Sequence, residues 1–351
     1  MIPIIDAHLD LAWNALFWDR DLTLGLNELN ARDAEMTDHR ARGRATVCLP
    51  EMRRGNIKLC LGTLLARAKS HPSAEPTRRN LDYPTQSHAC AIAQAQLAYY
   101  RLLEQQSHLR IITSKNQLNL DDPLGLIIAM EGADPITSPA QLDFWFALGL
   151  RVIGLAHYGP SAYAVGTGAT GPLTSAGIEL LRQMSRLGMI LDLTHTSDES
   201  FHQALDIFPG PVLASHNNCR ALVPGDRQFC DIQIKRLIER SAVIGVACDA
   251  WMLHPNWAIG QTDRSVVSLE AIVNQIDHIC QLAGNTNHVG IGSDLDGGFG
   301  SEQTPAGLDS IADLKSLAPL LENRRYSRDD ISSIFYANWL RFFQQVLPNE
   351  A

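Results

Sequence analysis

The chain has 351 residues, 45% of them hydrophobic and 19% charged, with a formal net charge of −9 and a pI near 5.7. That length holds one large domain or two small ones, and an acidic chain without Lys/Arg clusters excludes nucleic acid and a membrane surface as partners in favour of a small molecule. No run reaches the roughly 18 apolar residues of a membrane span, no secretory leader precedes the first strand-like run, and seven scattered cysteines without CxxC spacing read as the reduced thiols of a cytoplasmic protein.

Eight short apolar, β-branched runs follow in order: Ile2–Ile5, Ala45–Leu49, Leu126–Met130, Val152–Leu155, Met189–Leu193, Val212–Ala214, Val243–Val246 and Val289–Ile291. Most are continuously apolar rather than alternating, the mark of strands buried on both faces of a parallel sheet. Helical patterns separate them. Ala89–Gln106 is long and rich in Ala, Leu and Gln, Ser175–Leu187 follows Thr174 as N-cap, and Asp231–Ser241 and Leu269–Ala283 fit the helical period. Between residues 50 and 123 the chain is too long for one crossover. A helix near Asn56–Lys69, a proline-bearing loop Ser70–Thr85 and the Ala89–Gln106 helix are predicted there as an insertion on the rim. Asp329–Val346, with Phe335, Trp339, Leu340 and Phe343 at helical spacing, is predicted as a final packing helix. The α/β alternation predicts a single-domain (β/α)8 TIM-type barrel over residues 1–351, with a helical segment inserted after strand 2. An open doubly wound sheet is the alternative, but no GxGxxG turn follows the first strand.

Polar residues stand at the ends of these runs. His8 and Asp10 follow the first, and on an extended strand they share a face. Glu131 follows Leu126–Met130, His157 follows Val152–Leu155, His195 follows Met189–Leu193, His216 follows Val212–Ala214, and Asp294 follows Val289–Ile291. Each alone fits a cap, a loop start or a turn. Together, on the face of a barrel where the strand ends meet, four histidines and three carboxylates exceed what one tetrahedral zinc needs. A two-metal centre with a shared carboxylate fits that count.

The strings Asp6-Ala7-His8-Leu9-Asp10, Met130-Glu131-Gly132-Ala133, Leu191-Asp192-Leu193-Thr194-His195, Ala214-Ser215-His216 and Gly292-Ser293-Asp294-Leu295-Asp296-Gly297 resemble the membrane dipeptidase family of zinc metallopeptidases, among the metal-dependent amidohydrolase-type barrels. The resemblance runs from His8 to Asn338-Trp339-Leu340-Arg341, and His-x-Asp in place of His-x-His is itself discriminating. It implies two Zn2+ per chain, one held by His8, Asp10 and Glu131, the other by Glu131, His195 and His216, with Glu131 bridging. It also implies that His157 binds substrate and stabilises the oxyanion, that Arg227 grips a substrate carboxylate, and that Asp294 faces the metal-bridging water and moves protons. A homodimer and hydrolysis of dipeptides, L-Xaa-D-Xaa among them, are further implications. Deacylation of an N-acyl amino acid is the alternative reaction, and a metal-binding scaffold the non-enzymatic one. The first motif lacks the Gly and Asn that many relatives carry, and the glycine-rich stretch Gly159–Gly171 has its own composition, so substrate choice is where the likeness says least.

Overall fold

Segments apolar on both faces can be satisfied only between a filled interior and a covering layer. Eight of them close here into a parallel ring: β1 (Ile4–Leu9), β2 (Ile57–Leu65), β3 (Leu124–Glu131), β4 (Leu150–Gly154), β5 (Ile190–Asp192), β6 (Val212–Leu213), β7 (Ile244–Val246) and β8 (Val289–Ile291). The structure, a computed structural model, describes residues 2–69 and 80–350. The order around the sheet is β7-β8-β1-β2-β3-β4-β5-β6, and a parallel bridge between Ala214 and Ile244 joins β6 back to β7. This is the predicted (β/α)8 barrel. Ile5, Leu61, Ile127, Val152, Ile190, Leu213 and Val243 fill the interior with Trp339 and Phe343 of the last helix. A second cluster, including Ile153, Leu191, Val246 and Ile291, packs the strands against helix residues such as Leu180, Phe201, Ile234 and Ile276.

One predicted strand is wrong. Residues 45–48 carry no strand, and Leu49–Arg54 is a short helix with Pro50 in its first turn. The backbone N–H groups of Thr46 and Val47 are taken by the Asp296 carboxylate at 2.9–3.1 Å instead of a sheet ladder. The second barrel strand is β2, in the stretch predicted as the Asn56–Lys69 helix. Its residues are buried on both sides, Leu59 and Leu61 in the interior and Cys60 and Leu64 outside, which overrides any local helical preference.

The rim segment follows β2. Arg67–Ala68 pairs with Asp82–Tyr83, Gln86–Gln105 is the long helix, and Leu109–Ile111 adds a ninth strand beside β3. Most of the predicted proline-bearing loop, residues 70–79, lies outside the described residues. Ser175–Leu187 forms as predicted, with the Thr174 side chain accepting from Gly177 N. The predicted C-terminal helix is broken into Arg328–Ser332, a π-helical turn Ser333–Ala337, and Asn338–Val346.

Candidate metal centre and substrate cavity

β1 runs on to Leu9, so His8 lies within the strand rather than after it. The pairing with β2 places Asp6 opposite Cys60 and Leu9 opposite Gly62, one residue more on β1 than on β2. Such an irregularity re-aims a side chain. Asp10 starts the next helix, Leu11–Phe17, but its side chain makes no capping bond. It accepts instead from the Thr63 hydroxyl on β2. Glu131 ends β3, and its Oε1 is the hub of the cluster. His195 Nε2 lies 3.3 Å from it, His216 Nε2 3.4 Å, and His8 and His157 Nε2 each 3.7 Å. Asp10 Oδ1 and Asp294 Oδ1 stand 3.8 and 3.7 Å from His8 Nε2. The barrel therefore gathers His8, Asp10, Glu131, His157, His195, His216 and Asp294 at one end. His195 and Asp294 reach it from left-handed backbone, φ 64° and 57°, a conformation that costs a non-glycine residue energy and collects at functional sites.

The second ring nitrogens of these histidines have different partners. Thr167 Oγ1 lies 3.4 Å from the His195 carbonyl and hydrogen-bonds His195 Nδ1 at 3.0 Å. Ser215 Oγ bonds Thr194 Oγ1 at 3.3 Å and His216 Nδ1 at 2.9 Å. Both rings thus turn Nε2 to the centre, and those two atoms sit 3.2 Å apart. His157 differs. Arg67 Nη1, which can only donate, lies 3.5 Å from its Nδ1, while Nε2 faces Glu131.

Burial lowers the pKa of His195 and His216 well below the usual imidazole range, helped by the Arg227 charge, and takes His8 to about 3. The imidazoles are neutral, the form that binds metals. Burial raises Glu131 well above the carboxylate range, and the charges of Asp10 and Asp294 push it further. Asp294 rises well above its ordinary value by burial and the nearby Asp10 charge. His8 Nε2 is buried without a hydrogen-bond partner, and such an atom costs about 1–3 kcal/mol if left so. Imidazole nitrogens converging on crowded carboxylates at 3.3–3.8 Å suit divalent cations between them. Three sets meet the spacing a metal requires: His8, Asp10 and Glu131; Glu131, His157 and His195; and His8, His216 and Asp294.

The cluster floors a cavity of about 930 Å3 walled by Trp13, Trp18, Trp251 and Phe299. Arg227 lines it too, buried, with its guanidinium bonded to Asn217 Oδ1 at 2.8 Å and the His216 carbonyl at 3.0 Å. The glycine-rich stretch folds against the site. Thr167 bonds His195, Gly168 N donates to Asp226 beside Arg227, and Gly166 lies so close to His157 that a Cβ there would be 1.9 Å from the His157 carbonyl oxygen. Sequence reasoning missed four buried groups around the site: Thr63, Asp6, Asp192 and Asp249. Asp6 accepts from His8 N at 3.2 Å and from Ser293 N at 2.8 Å, beside Asp294. Asp249 stands three residues past β7 on the cavity wall, held by Gln303 Nε2 at 2.9 and 3.0 Å. The strand-end rule that picked the other residues applies equally to Asp249.

Residues 1–350 match the family model of the membrane dipeptidases, peptidase family M19. Dipeptidase verJ of Clonostachys rogersoniana is 32% identical over 225 residues, covering 63% of this chain and 55% of that protein. Dipeptidase 3 of Homo sapiens is 26% identical over 257 residues, 70% of this chain and 50% of that protein, so the chain spans about half the length of these curated relatives. A metallopeptidase from Rhodobacter sphaeroides, crystallised with a phosphinate mimic of the dipeptide L-Ala-D-Ala, shares the fold with a TM-score of 0.78 at 22% identity, over 98% of this chain and 99% of that one. With a family model matched over all but the last residue, this chain belongs to the membrane dipeptidase family, peptidase family M19.

Proposed function

We propose that this protein is a metal-dependent dipeptidase that loads two zinc ions and cleaves the amide bond of dipeptides bearing a free carboxylate. The observation that carries the reading is the Glu131 hub. One carboxylate oxygen stands 3.3–3.7 Å from four imidazole nitrogens, in a cavity that also holds a buried arginine. His8, Asp10 and Glu131 would hold one ion, and Glu131, His195 and His216 the other. When bound, the ions supply Lewis acidity and bring the pKa of water down towards ~7. The chain's own residues do the rest. Arg227, anchored by Asn217 and the His216 carbonyl, presents its remaining N–H groups to the substrate carboxylate. His157, with Nε2 turned inward, donates to the oxygen that gains charge as the amide carbon becomes tetrahedral. Asp294, whose carboxyl burial holds above its ordinary value and so makes a stronger base, takes the proton of the attacking water and delivers it to the leaving amine.

The dipeptide mimic bound by the Rhodobacter sphaeroides neighbour makes L-Xaa-D-Xaa dipeptides the first substrates to test. The competing reaction, deacylation of an N-acyl amino acid, uses the same groups but a substrate without the free amine. Purified protein loaded with zinc and offered L,L- and L,D-dipeptides beside N-acyl amino acids separates the two. Turnover of dipeptides is expected; turnover of the acyl compounds alone would refute the proposal.

A further inference from the structure

Asp192, the last residue of β5, is a buried carboxylate that makes no ion pair among the described residues and does not line the cavity. A charge so placed is costly unless it organises its neighbours. Its Oδ1 accepts two backbone bonds, from Thr194 N at 3.0 Å on its own chain segment and from Ser215 N at 3.0 Å past β6. The hydroxyls of Thr194 and Ser215 bond its carboxylate as well. Each of these four groups donates to Asp192. That fixes the Ser215 hydroxyl. With its one proton on Asp192, or on Thr194 Oγ1 3.3 Å away, the hydroxyl has only a lone pair left for His216. Ser215 Oγ meets His216 Nδ1 at 2.9 Å, where a hydroxyl so committed accepts.

We propose that Asp192 is a positioning residue that sets the tautomer of His216 through the Ser215 hydroxyl, placing the ring proton on Nδ1 and the bare Nε2 lone pair at Glu131. The inference rests on reading His216 as a metal ligand only for its consequence, not for its geometry. Ligating histidines depend on the partner of their second nitrogen, and losing that partner typically costs ~10–100-fold in metal affinity. Asparagine in place of Asp192 reverses the chain of donors. Its amide N–H would donate to Ser215 Oγ, the serine proton would turn to His216 Nδ1, and the imidazole proton would move to Nε2, where it blocks a metal.

The test uses the full chain. Metal-free wild type and Asp192→Asn, labelled with 15N-histidine, report the tautomer of His216 directly by NMR, and cobalt titration reports metal binding by its visible absorption. Wild type is expected to show the Nδ1–H tautomer and the variant the Nε2–H tautomer. One of two cobalt ions should bind ~10–100-fold more weakly in the variant and the other as in wild type. The melting temperature of the metal-free variant should stay within a few degrees of wild type. If Asp192→Asn does not fold, Ser215→Ala removes the relay alone and should leave His216 in a mixture of tautomers, with the same selective loss. A His216 that keeps Nδ1–H in Asp192→Asn, or cobalt affinity that falls equally at both sites, overturns the proposal. The NMR result needs neither metal nor substrate. A tautomer switch in a protein that hydrolyses no dipeptide would refute the dipeptidase reading and leave this inference standing.

Discussion

The chemistry of the cavity turns on which side chains carry protons, and this can be tested one residue at a time. Asp294 reaches the centre from a left-handed turn with its carboxyl held well above the usual range by burial and then by Asp10. Asp294→Asn keeps shape and volume but cannot accept a proton. It should retain the metal content and melting temperature of wild type while losing ~10²–10⁴ in kcat, and near-normal turnover would remove Asp294 from the proton path. Arg227→Ala should raise KM for dipeptides with a free carboxylate far more than for their carboxamides, since the guanidinium is otherwise held only by Asn217 and a carbonyl. An equal rise for both would show that the arginine merely supports the wall. At this scale the sequence exposed the residues that stand out chemically at strand ends. It hid those whose meaning lies in a distant partner. Thr63 reads as an ordinary strand threonine until Asp10, 53 positions away, is brought against it, and Asp6 meets Ser293 across 287 positions.

Between residue and barrel, the element misread in the sequence is also the one whose role is clearest in the fold. Thr46 and Val47 resemble a strand because they are β-branched and stand in an apolar run, yet their N–H groups belong to Asp296, two residues beyond Asp294. No local periodicity encodes a carboxylate 250 positions away. β2 was obscured for the converse reason, since Leu, Cys and Lys do not declare a strand unless both of its buried faces are known. The Asp296 loop is tied in turn to Arg20, which bonds Asn14 at 2.8 Å and Asp33 at 3.0 Å, while Asp33 also holds Arg42 at 2.7 Å. Burial alone would raise the Asp33 pKa, but the hydrogen bond and charge of Arg20, with Arg42 and the Gly43 N–H, hold it below 3.8. A carboxylate with a depressed folded-state pKa stabilises above its unfolded value and loses that contribution as pH falls through the folded one. Asp33→Asn should therefore cost about 3 kcal/mol at pH 7, at the low end for removing one partner of a buried pair, and much less at pH 3. Urea midpoints at the two pH values check this, and an equal loss at both would show that the Asp33 charge is not what matters.

For the whole molecule, the donor set is a statement about topology. His8 and Asp10 come from β1 and its end, Glu131 from β3, His195 from the turn after β5 and His216 from the turn after β6, so ions held among them would cross-link strands on several sides of one ring. The barrel was legible in the sequence because eight doubly buried strands leave continuous apolar runs, and seven of those runs were placed correctly. The closing bridge between Ala214 and Ile244 was not legible, since it depends on β6 and β7 being short and on their backbones meeting across the last gap. That seam is where ring closure rests on the least regular pairing, and His216 lies two residues beyond it. Binding to the folded state alone stabilises by RT ln(1 + [L]/Kd), roughly 4 kcal/mol per ion at a thousandfold excess over Kd. For a chain of this size that amounts to several degrees in melting temperature. Chelation should lower the melting temperature by that much and abolish turnover, and zinc should restore both. In the metal-free protein, amide exchange should rise first at Val212–Ser215 and Ile244–Val246, where an ion held by His216 just past β6 would otherwise brace a seam left to its bridge. Exchange that rises uniformly around the ring, or a melting temperature indifferent to chelator, would show that the ions play no part in holding the barrel shut.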